Sequence, residues 1–449
     1  MLGQKNLREI ADRVLALSNA DQTEVLIFSG DQYLTRFANN TIHQNVSETD
    51  VTVRVRAIFG QKTGVASGND LSDAALRRIV ESAETVARFQ EDNPECPSLP
   101  QPRPIREVEG AFVEATAVCT PEERARGVAA ICALARENGL QAAGAFSTAL
   151  KETMVANSLG VSAYHCGTVA HIVTVVMGED SSGYASDASI DIRVVNPEAI
   201  GRVAVDKALR SRNPTPIEPG TYTVILEEEA VADMLRTLGF LGFGALAVQE
   251  GRSFMNGRFG EKIAGDNITI WDDGYDPLGL PMPFDFEGVP KQRVTLIENG
   301  IARGVVYDTF TASREPGKAS TGHGLPAPNT FGPIPLNLFM APGQATKEQM
   351  LASTGRGIWV TRFHYTNPLH PVKTVLTGMT RDGTFLIEDG QLTRPLKNMR
   401  FTQSILEALG RAEMLGAARK LIASDWGGFA VCVPAAKIHE FRFTGATEF

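Results

Sequence analysis

Residues 212–220, RNPTPIEPG, interrupt the chain close to its middle. Proline lacks a backbone N–H and fixes φ, so three prolines and a glycine in so short a stretch stop both helical and strand periodicity. A chain of 449 residues also exceeds what one hydrophobic core usually serves. We therefore predict two domains, residues 1–215 and residues 216–449.

The patterning on either side of this break predicts an α+β fold. Before it, apolar residues at helical spacing from Leu7 to Leu17 precede alternating segments typical of paired strands, which predicts an α/β domain with a mostly antiparallel sheet and covering helices. After it, strand and turn signals predominate and predict a domain dominated by antiparallel β structure. One last helix is predicted at residues 403–421, QSILEALGRAEMLGAARKL.

Composition limits the classes of function. The net charge is −9 and the basic residues are dispersed, so direct nucleic-acid binding is not expected. The longest apolar run, Leu238 to Val248, is far shorter than the roughly 20 residues that span a bilayer. Five cysteines without a CxxC pair, and an N-terminus without the features of a signal peptide, favour a reducing, cytoplasmic location.

The most informative segment is the predicted strand-to-helix junction VILEEEAVADML, residues 224–235. It resembles the junction of the TldD/PmbA metalloprotease family, where the helix carries His-Glu-x-x-x-His, with two zinc-binding histidines and a general-base glutamate. The resemblance aligns Glu228 and Asp233 with the histidines and Glu229 with the glutamate. It therefore implies a degenerate motif of the TldE (PmbA) type, without its own metal ligands, catalytic residues or cofactor.

Two readings of these acidic residues are open. Zinc prefers imidazole and thiolate, whereas paired carboxylates suit harder cations such as magnesium or calcium. However, Glu228 and Asp233 are five positions apart, which separates them by roughly 140° around a regular helix. The alternative is that Glu227, Glu228 and Glu229 stabilise the helix N-terminus through its dipole.

Other candidate residues have weaker patterns. Cys432, at the place of a possible third ligand, has alternating neighbours and is expected to be a buried strand residue. His165 and His171 should share one face of a strand and Cys166 the other. Asn367, Pro368 and Pro371 are expected to break the strand between His364 and His370. His323 is expected on a flexible loop that borders a cleft. The family-like turn of Phe284, Asp285, Glu287 and Gly288 is expected to shape a domain junction.

The resemblance also implies partners. TldD/TldE pairs resemble a closed shell around a peptide-sized cavity, so this chain is expected to pair with a TldD-like zinc protease subunit, or with a second copy, and to bind an unfolded peptide substrate. No nucleic acid or membrane partner is expected. One alternative is a metallopeptidase in its own right with an atypical carboxylate site at Glu228, Glu229 and Asp233. The other is a protein-binding regulatory module, as the family's description as a modulator of DNA gyrase suggests.

Overall fold

The computed structural model describes residues 1–423 and 430–446. In these residues the strands form a six-stranded sheet, which we call the first sheet, and an eleven-stranded second sheet. All strands of the first sheet precede residue 190 in the chain, and all strands of the second sheet follow residue 219. Helices pack against both sheets. The predicted α+β class is confirmed, whereas the division of the chain at residue 215 into two domains stays a prediction. Within the same residues, no helix combines the length and apolar character needed to span a bilayer.

The strands are β1 Gln22–Ala38, β2 Thr41–Phe59, β3 Lys62–Gly68, β4 Gln141–Asn157, β5 Ser162–Met177, β6 Ser182–Ser189, β7 Gly220–Leu226, β8 Ile270–Asp272, β9 Val294–Glu298, β10 Ile301–Ala302, β11 Asn337–Met340, β12 Arg356–His370, β13 Val375–Glu388, β14 Gln391–Pro395, β15 Met399–Ser404, β16 Ala412–Ala423 and β17 Ala430–Ala446. The helices are α1 Gln4–Leu17, α2 Asp73–Phe89, α3 Glu114–Ala117, α4 Pro121–Glu137, α5 Pro197–Arg210, α6 Glu228–Gly242, α7 Ala245–Gln249, α8 Thr309–Ser313, α9 Lys347–Ala352 and α10 Ile405–Gly410.

The first sheet is antiparallel throughout, in the order β3-β2-β1-β4-β5-β6. Helices α1 and α2 cover one face near β1 to β3, and α4 and α5 cover the same face near β4 to β6, each pair enclosing an apolar core. Local sequence sets where these helices begin. The Ser72 side chain caps α2, and Thr120 and Glu123 form a reciprocal capping box that starts α4.

The second sheet closes partly on itself. Its order is β10-β9-β8-β11-β17-β15-β13-β12-β7, and β7 also pairs with β17, so five strands from β17 to β7 form a ring. Most neighbours are antiparallel, while β7 with β12 and β11 with β17 are parallel. Helix α6 packs against this ring, and its buried residues join the largest apolar core of the protein.

Two local predictions were wrong. Residues 403–421 do not form one helix, because α10 ends at Gly410 and residues 412–423 form β16, which pairs with β17 around bulges. Non-local pairing overrides the helical spacing of this segment. The strand between His364 and His370 is not broken either, since β12 continues through Asn367 and Pro368 with register shifts that absorb the proline.

The face of the first sheet opposite its helices contacts the C-terminal half of the chain at the turn that contains Phe284. Phe284 is fully buried among Leu26, Val155 and other apolar residues of the first sheet. Gly288 has a φ of 76°, and a Cβ there would lie 2.5 Å from Val161 Cγ1. Only glycine fits this contact without strain. The turn therefore fixes how the two halves of the chain pack.

Candidate functional site

The strand-to-helix junction forms as predicted. Strand β7 ends at Leu226, Glu227 occupies the N-cap position without a capping hydrogen bond from its side chain, and α6 begins at Glu228. The Glu227 backbone N–H donates to the carbonyl of Val360 on β12, which anchors the junction to the second sheet. Carboxylates in a first helical turn are favoured by the helix dipole, but each of these three glutamates also has its own cationic partner.

Glu227 is buried between the two halves of the chain. Its carboxylate accepts hydrogen bonds from Lys207 Nζ on α5 at 2.7 Å and from Trp359 Nε1 on β12 at 2.7 Å. Burial acts to raise the pKa of this carboxyl, but the ammonium groups of Lys207 and Lys347 and the Trp359 indole together hold its pKa below the ordinary value. Glu227 is therefore a charged and fully partnered residue.

Glu228 is equally buried and points to a different cation. Its Oε2 lies 2.7 Å from Lys347 Nζ at the start of α9. Burial acts to lower the pKa of Lys347, but the Glu227 and Glu228 carboxylates raise it overall. The lysine therefore remains an ammonium ion beside Glu228, the residue expected from the sequence resemblance at the position of a zinc-binding histidine.

Glu229, expected from the sequence resemblance at the general-base position, faces the edge strand β6 of the first sheet. Its Oε1 accepts a short hydrogen bond from Ser186 Oγ and lies 3.5 Å from Lys420 Nζ on β16. Lys420 Nζ also donates to Ser186 Oγ at 3.3 Å. Burial raises the pKa of the nearby Asp187, and the ammonium group of Lys420 acts in the opposite direction by lowering that pKa. Glu229 is thus held in a polar contact between the two sheets.

Asp233, one turn further along α6, pairs with its own helix. Its Oδ1 lies 3.0 Å from Arg236 Nη1, and both side chains are 24% exposed. Burial raises the pKa of Asp233 to about 6. The Arg236 guanidinium acts to lower this pKa, and the Glu229 carboxylate acts to raise it further. The ordinary pKa of an aspartate is about 3.9, so part of the Asp233 population is protonated near neutral pH.

These contacts bear on metal binding. The carboxylates of Glu228, Glu229 and Asp233 are engaged by three different cations, Lys347, Lys420 and Arg236. Across residues 1–423 and 430–446, no group of three or more histidine, cysteine, aspartate or glutamate side chains is placed to hold a metal ion. The donor set is hard oxygen only, which does not fit the imidazole and thiolate preference of zinc.

The other sequence candidates lie elsewhere. Cys432 is 3% exposed on β17, packed with Trp271 and Phe339, and burial raises its pKa to about 11. It is a neutral thiol in an apolar cluster, as its alternating neighbours predicted. His323 lies on a loop between α8 and β11 as predicted, but it is 2% exposed and does not border an open cleft, because its Nε2 lies 2.8 Å from Asp272 Oδ1.

The other candidate histidines and Cys166 lie on β5 and β12. His165, Cys166 and His171 lie on β5, where His165 is opposite Thr153 and Cys166 is opposite Glu152 on β4, so the two neighbours face opposite sides of the sheet. His364 is half-buried on β12, and His370 is exposed at the end of that strand.

Sequence reasoning missed the residues that partner the acids. Lys207, Lys347, Lys420 and Ser186 are distant from α6 in the chain and reach it only through tertiary packing. No spacing rule links them to residues 227–229. A run of three glutamates that ends a buried strand is nevertheless a signal that compensating cations must come from elsewhere in the fold.

Comparison with known proteins identifies the family. A family profile described as the PmbA/TldA metallopeptidase C-terminal domain matches residues 219–445, and the profiles of domain 1 and of the central domain match residues 23–87 and 120–212. The chain belongs to the PmbA/TldD metallopeptidase family. The first of these profiles contains the whole of α6 and the four lysine-paired or arginine-paired acids described above, Glu227, Glu228, Glu229 and Asp233.

Individual members of the PmbA/TldD family resemble the chain over most of its length. It is 25% identical to the metalloprotease PmbA of Escherichia coli O157:H7, covering 88% of each chain. It is 24% identical to the metalloprotease TldD homolog of Haemophilus influenzae, covering 82% of this chain and 79% of the relative. The crystal structure of TldE from Thermococcus kodakarensis superposes with a TM-score of 0.89 at 22% identity, covering 98% of this chain and 100% of TldE. That last likeness shows a shared fold.

Proposed function

We propose that this chain is the non-catalytic, TldE-type subunit of a peptidase whose zinc is held by a TldD-like partner subunit. The chain completes the cavity in which an unfolded peptide is bound and cleaved. The observation that carries the proposal is the pairing of Glu228 with Lys347 and of Glu229 with Lys420 at the two motif positions that begin α6. Ammonium groups compensate the carboxylates there, where a metallopeptidase subunit needs a cation with an open coordination position.

The open face of the first sheet supports a peptide-binding role. On β5, the residues facing away from the helices are half-buried along a continuous stretch: Gly167, Val169, His171, Val173 and Val175. This face is covered at one end by the Phe284 turn and at the other by the contact of Ser186 with Glu229. A sheet face of this kind, closed over by a second subunit, provides a wall for an extended peptide.

The decisive experiment combines metal content with reconstituted cleavage. The chain purified alone without chelator is expected to hold well under one tenth of an equivalent of zinc by elemental mass spectrometry, and to leave a fluorogenic unstructured peptide intact. A TldD-like subunit from the same source should form a heterodimer with it and cleave the peptide faster than the TldD-like subunit alone.

A matched control separates metal loss from misfolding. Heterodimer formation is followed by light scattering with the chain that was tested for zinc, so an unfolded preparation is recognised by its failure to associate. Near-stoichiometric zinc together with cleavage by the isolated chain would replace this proposal by that of an independent metallopeptidase. Cleavage by the TldD-like subunit that is unaffected by this chain would exclude the subunit role.

A further inference from the structure

A second feature of the same sheet face is a cavity of about 300 Å³ between the first sheet and the loops that precede β9 and β11. Its walls are mostly apolar and include Phe28 on β1, Val169 on β5, and Met282, Phe286 and Leu336 from the C-terminal half. Phe28 and Phe286 meet edge to face with ring centroids 5.5 Å apart. An apolar cavity with a few convergent polar groups is the usual form of a site for a small molecule or a side chain.

Two polar groups in this cavity have no partner. Asn337 is 5% exposed, and in the described part of the chain nothing donates a hydrogen bond to its Oδ1, although its Nδ2 donates to the Leu280 carbonyl at 2.7 Å. His165 Nε2 is likewise buried and unpartnered among the described residues. Buried polar atoms without hydrogen bonds are rare and costly, so two in one small cavity call for a physical explanation.

The two unpartnered atoms limit what the cavity can bind. Asn337 Oδ1 is an acceptor and requires a donor. Burial lowers the pKa of His165, so its ring is neutral, and its Nε2 accepts or donates according to the tautomer. A ligand that satisfies Asn337 Oδ1 must donate O–H or N–H from an otherwise apolar body, and a hydroxyl group also matches either tautomer of His165.

We infer that this cavity is a side-chain pocket that receives a tyrosine or tryptophan side chain of the bound peptide, with its O–H or N–H donated to Asn337 Oδ1. Aromatic side chains of this kind combine a large apolar body with one polar donor. This inference rests on the proposed function, because it names the class of residue that the peptide-binding wall selects. In this inference His165, for which the metal-ligand pattern gave no role, is part of the wall of the side-chain pocket.

The position of the cavity specifies the spacing of the anchor. Ser186, which contacts Glu229, lies opposite Val173 on β5, eight residues beyond His165 on the same face. At about 3.3 Å per residue, the pocket and the start of α6 are separated by roughly 26 Å along the strand. An extended peptide therefore carries its aromatic anchor about eight residues from the point where it passes α6.

The experiment measures binding of p-cresol and toluene to the purified full-length chain by ligand-detected NMR titration. The two probes differ only in the hydroxyl group, which supplies the donor. We expect p-cresol to bind at least tenfold more tightly than toluene, because toluene leaves Asn337 Oδ1 without a donor. Equal affinities, or no binding of either probe, would overturn the inference without the need for any variant.

Variants locate the binding. Gly167→Leu places a side chain into the cavity, since a Cβ there would lie 3.3 Å from His165 Nε2, and should abolish binding of both probes. Asn337→Leu should reduce the preference for p-cresol over toluene at least fivefold. The matched control is Gly355→Leu, which lies outside the cavity at a position where a Cβ meets no described atom within 4 Å, and which should leave both affinities unchanged. Undiminished binding to a folded Gly167→Leu variant would place the probes elsewhere and refute the pocket.

The outcome is independent of the subunit role. The probes are small and no peptidase is present, so a failure to bind removes the pocket and leaves heterodimer formation and stimulated cleavage as they are. Conversely, a chain that binds p-cresol selectively but has no effect on a TldD-like subunit keeps its pocket and loses the proposed function.

Discussion

Replacing Lys207 by methionine tests whether the glutamates at α6 depend on their lysine partners. The side chains of Lys207 and Glu227 are 13% and 11% exposed, so the variant leaves a carboxylate buried with only Trp359 and the more distant Lys347 to compensate it. Breaking a buried ion pair in this way costs 3–5 kcal/mol. Because the Trp359 hydrogen bond remains, we expect a loss of about 3 kcal/mol in the free energy of unfolding at pH 7.

The pH dependence identifies the cause. In the native chain the pKa of Glu227 is held below its ordinary value, so the pair stabilises the fold above pH 4 to 5, and this contribution is lost as the pH falls through the native pKa. In Lys207→Met, burial favours the protonated carboxyl. The difference between the native chain and the variant should therefore shrink steadily from pH 7 to pH 4.

The assay is urea unfolding followed by tryptophan fluorescence and circular dichroism. The double variant Lys207→Met/Glu227→Gln should return to within about 1 kcal/mol of the native chain, since replacing both partners removes the uncompensated charge. The exposed pair of Lys5 and Glu9 is the control, and Lys5→Met should cost no more than about 0.5 kcal/mol. A Lys207→Met cost below about 1 kcal/mol, or an equal cost in the double variant, would refute the reasoning.

Three further outcomes follow from the same structure. The raised pKa of Asp233 means that its negative charge destabilises the fold, and stability is lost as the pH rises through about 6. Asp233→Asn should therefore stabilise the fold at pH 7.5 but not at pH 4.5, as measured by urea unfolding at both pH values. The expected gain is about 1 kcal/mol, after allowance for the 24% exposure of Asp233 and for the lost Arg236 contact. Gly288→Ala should cost about 3 kcal/mol in the same assay, because a Cβ clashes with the first sheet, whereas Gly251→Ala, at a similar φ with no described atom within 4 Å of its Cβ, should cost about 1 kcal/mol. The double variant Glu228→His/Asp233→His should gain neither stoichiometric zinc by elemental mass spectrometry nor peptidase activity.

The sequence predicted the parts of this structure that depend on local patterning. The capped helices α2 and α4, the strand β7 and the start of α6 all carry short-range signals, and all form. Residues 412–423 carry helical spacing but form β16, because their partner β17 lies at the far end of the chain in sequence and contributes no local signal.

In the candidate site too, the sequence predicts local features and misses contacts between distant segments. The strand-to-helix junction predicted at residues 224–235 forms, since its signals are contiguous in sequence, whereas the role of residues 228–233 stays a prediction. The lysines that neutralise it come from α5, α9 and β16, and their contacts arise only when the two sheets pack. For His323 the glycine-rich sequence predicted the loop but not its burial, because the hydrogen bond with Asp272 joins residues 51 positions apart in the chain.

The lysines also limit what restoring histidines can achieve. A zinc ion bound about 2 Å from an atom placed like Glu228 Oε2 would lie within about 5 Å of Lys347 Nζ, which is 2.7 Å from that oxygen. At an effective dielectric constant of 20, repulsion between a divalent ion and an ammonium group at that distance is roughly 7 kcal/mol. Metal binding would have to displace Lys347, and a similar repulsion applies to Lys420 beside Glu229. The positive charges that stabilise the acidic start of α6 therefore oppose a metal there, so regaining a metal site requires changes on α9 and β16 as well as on α6.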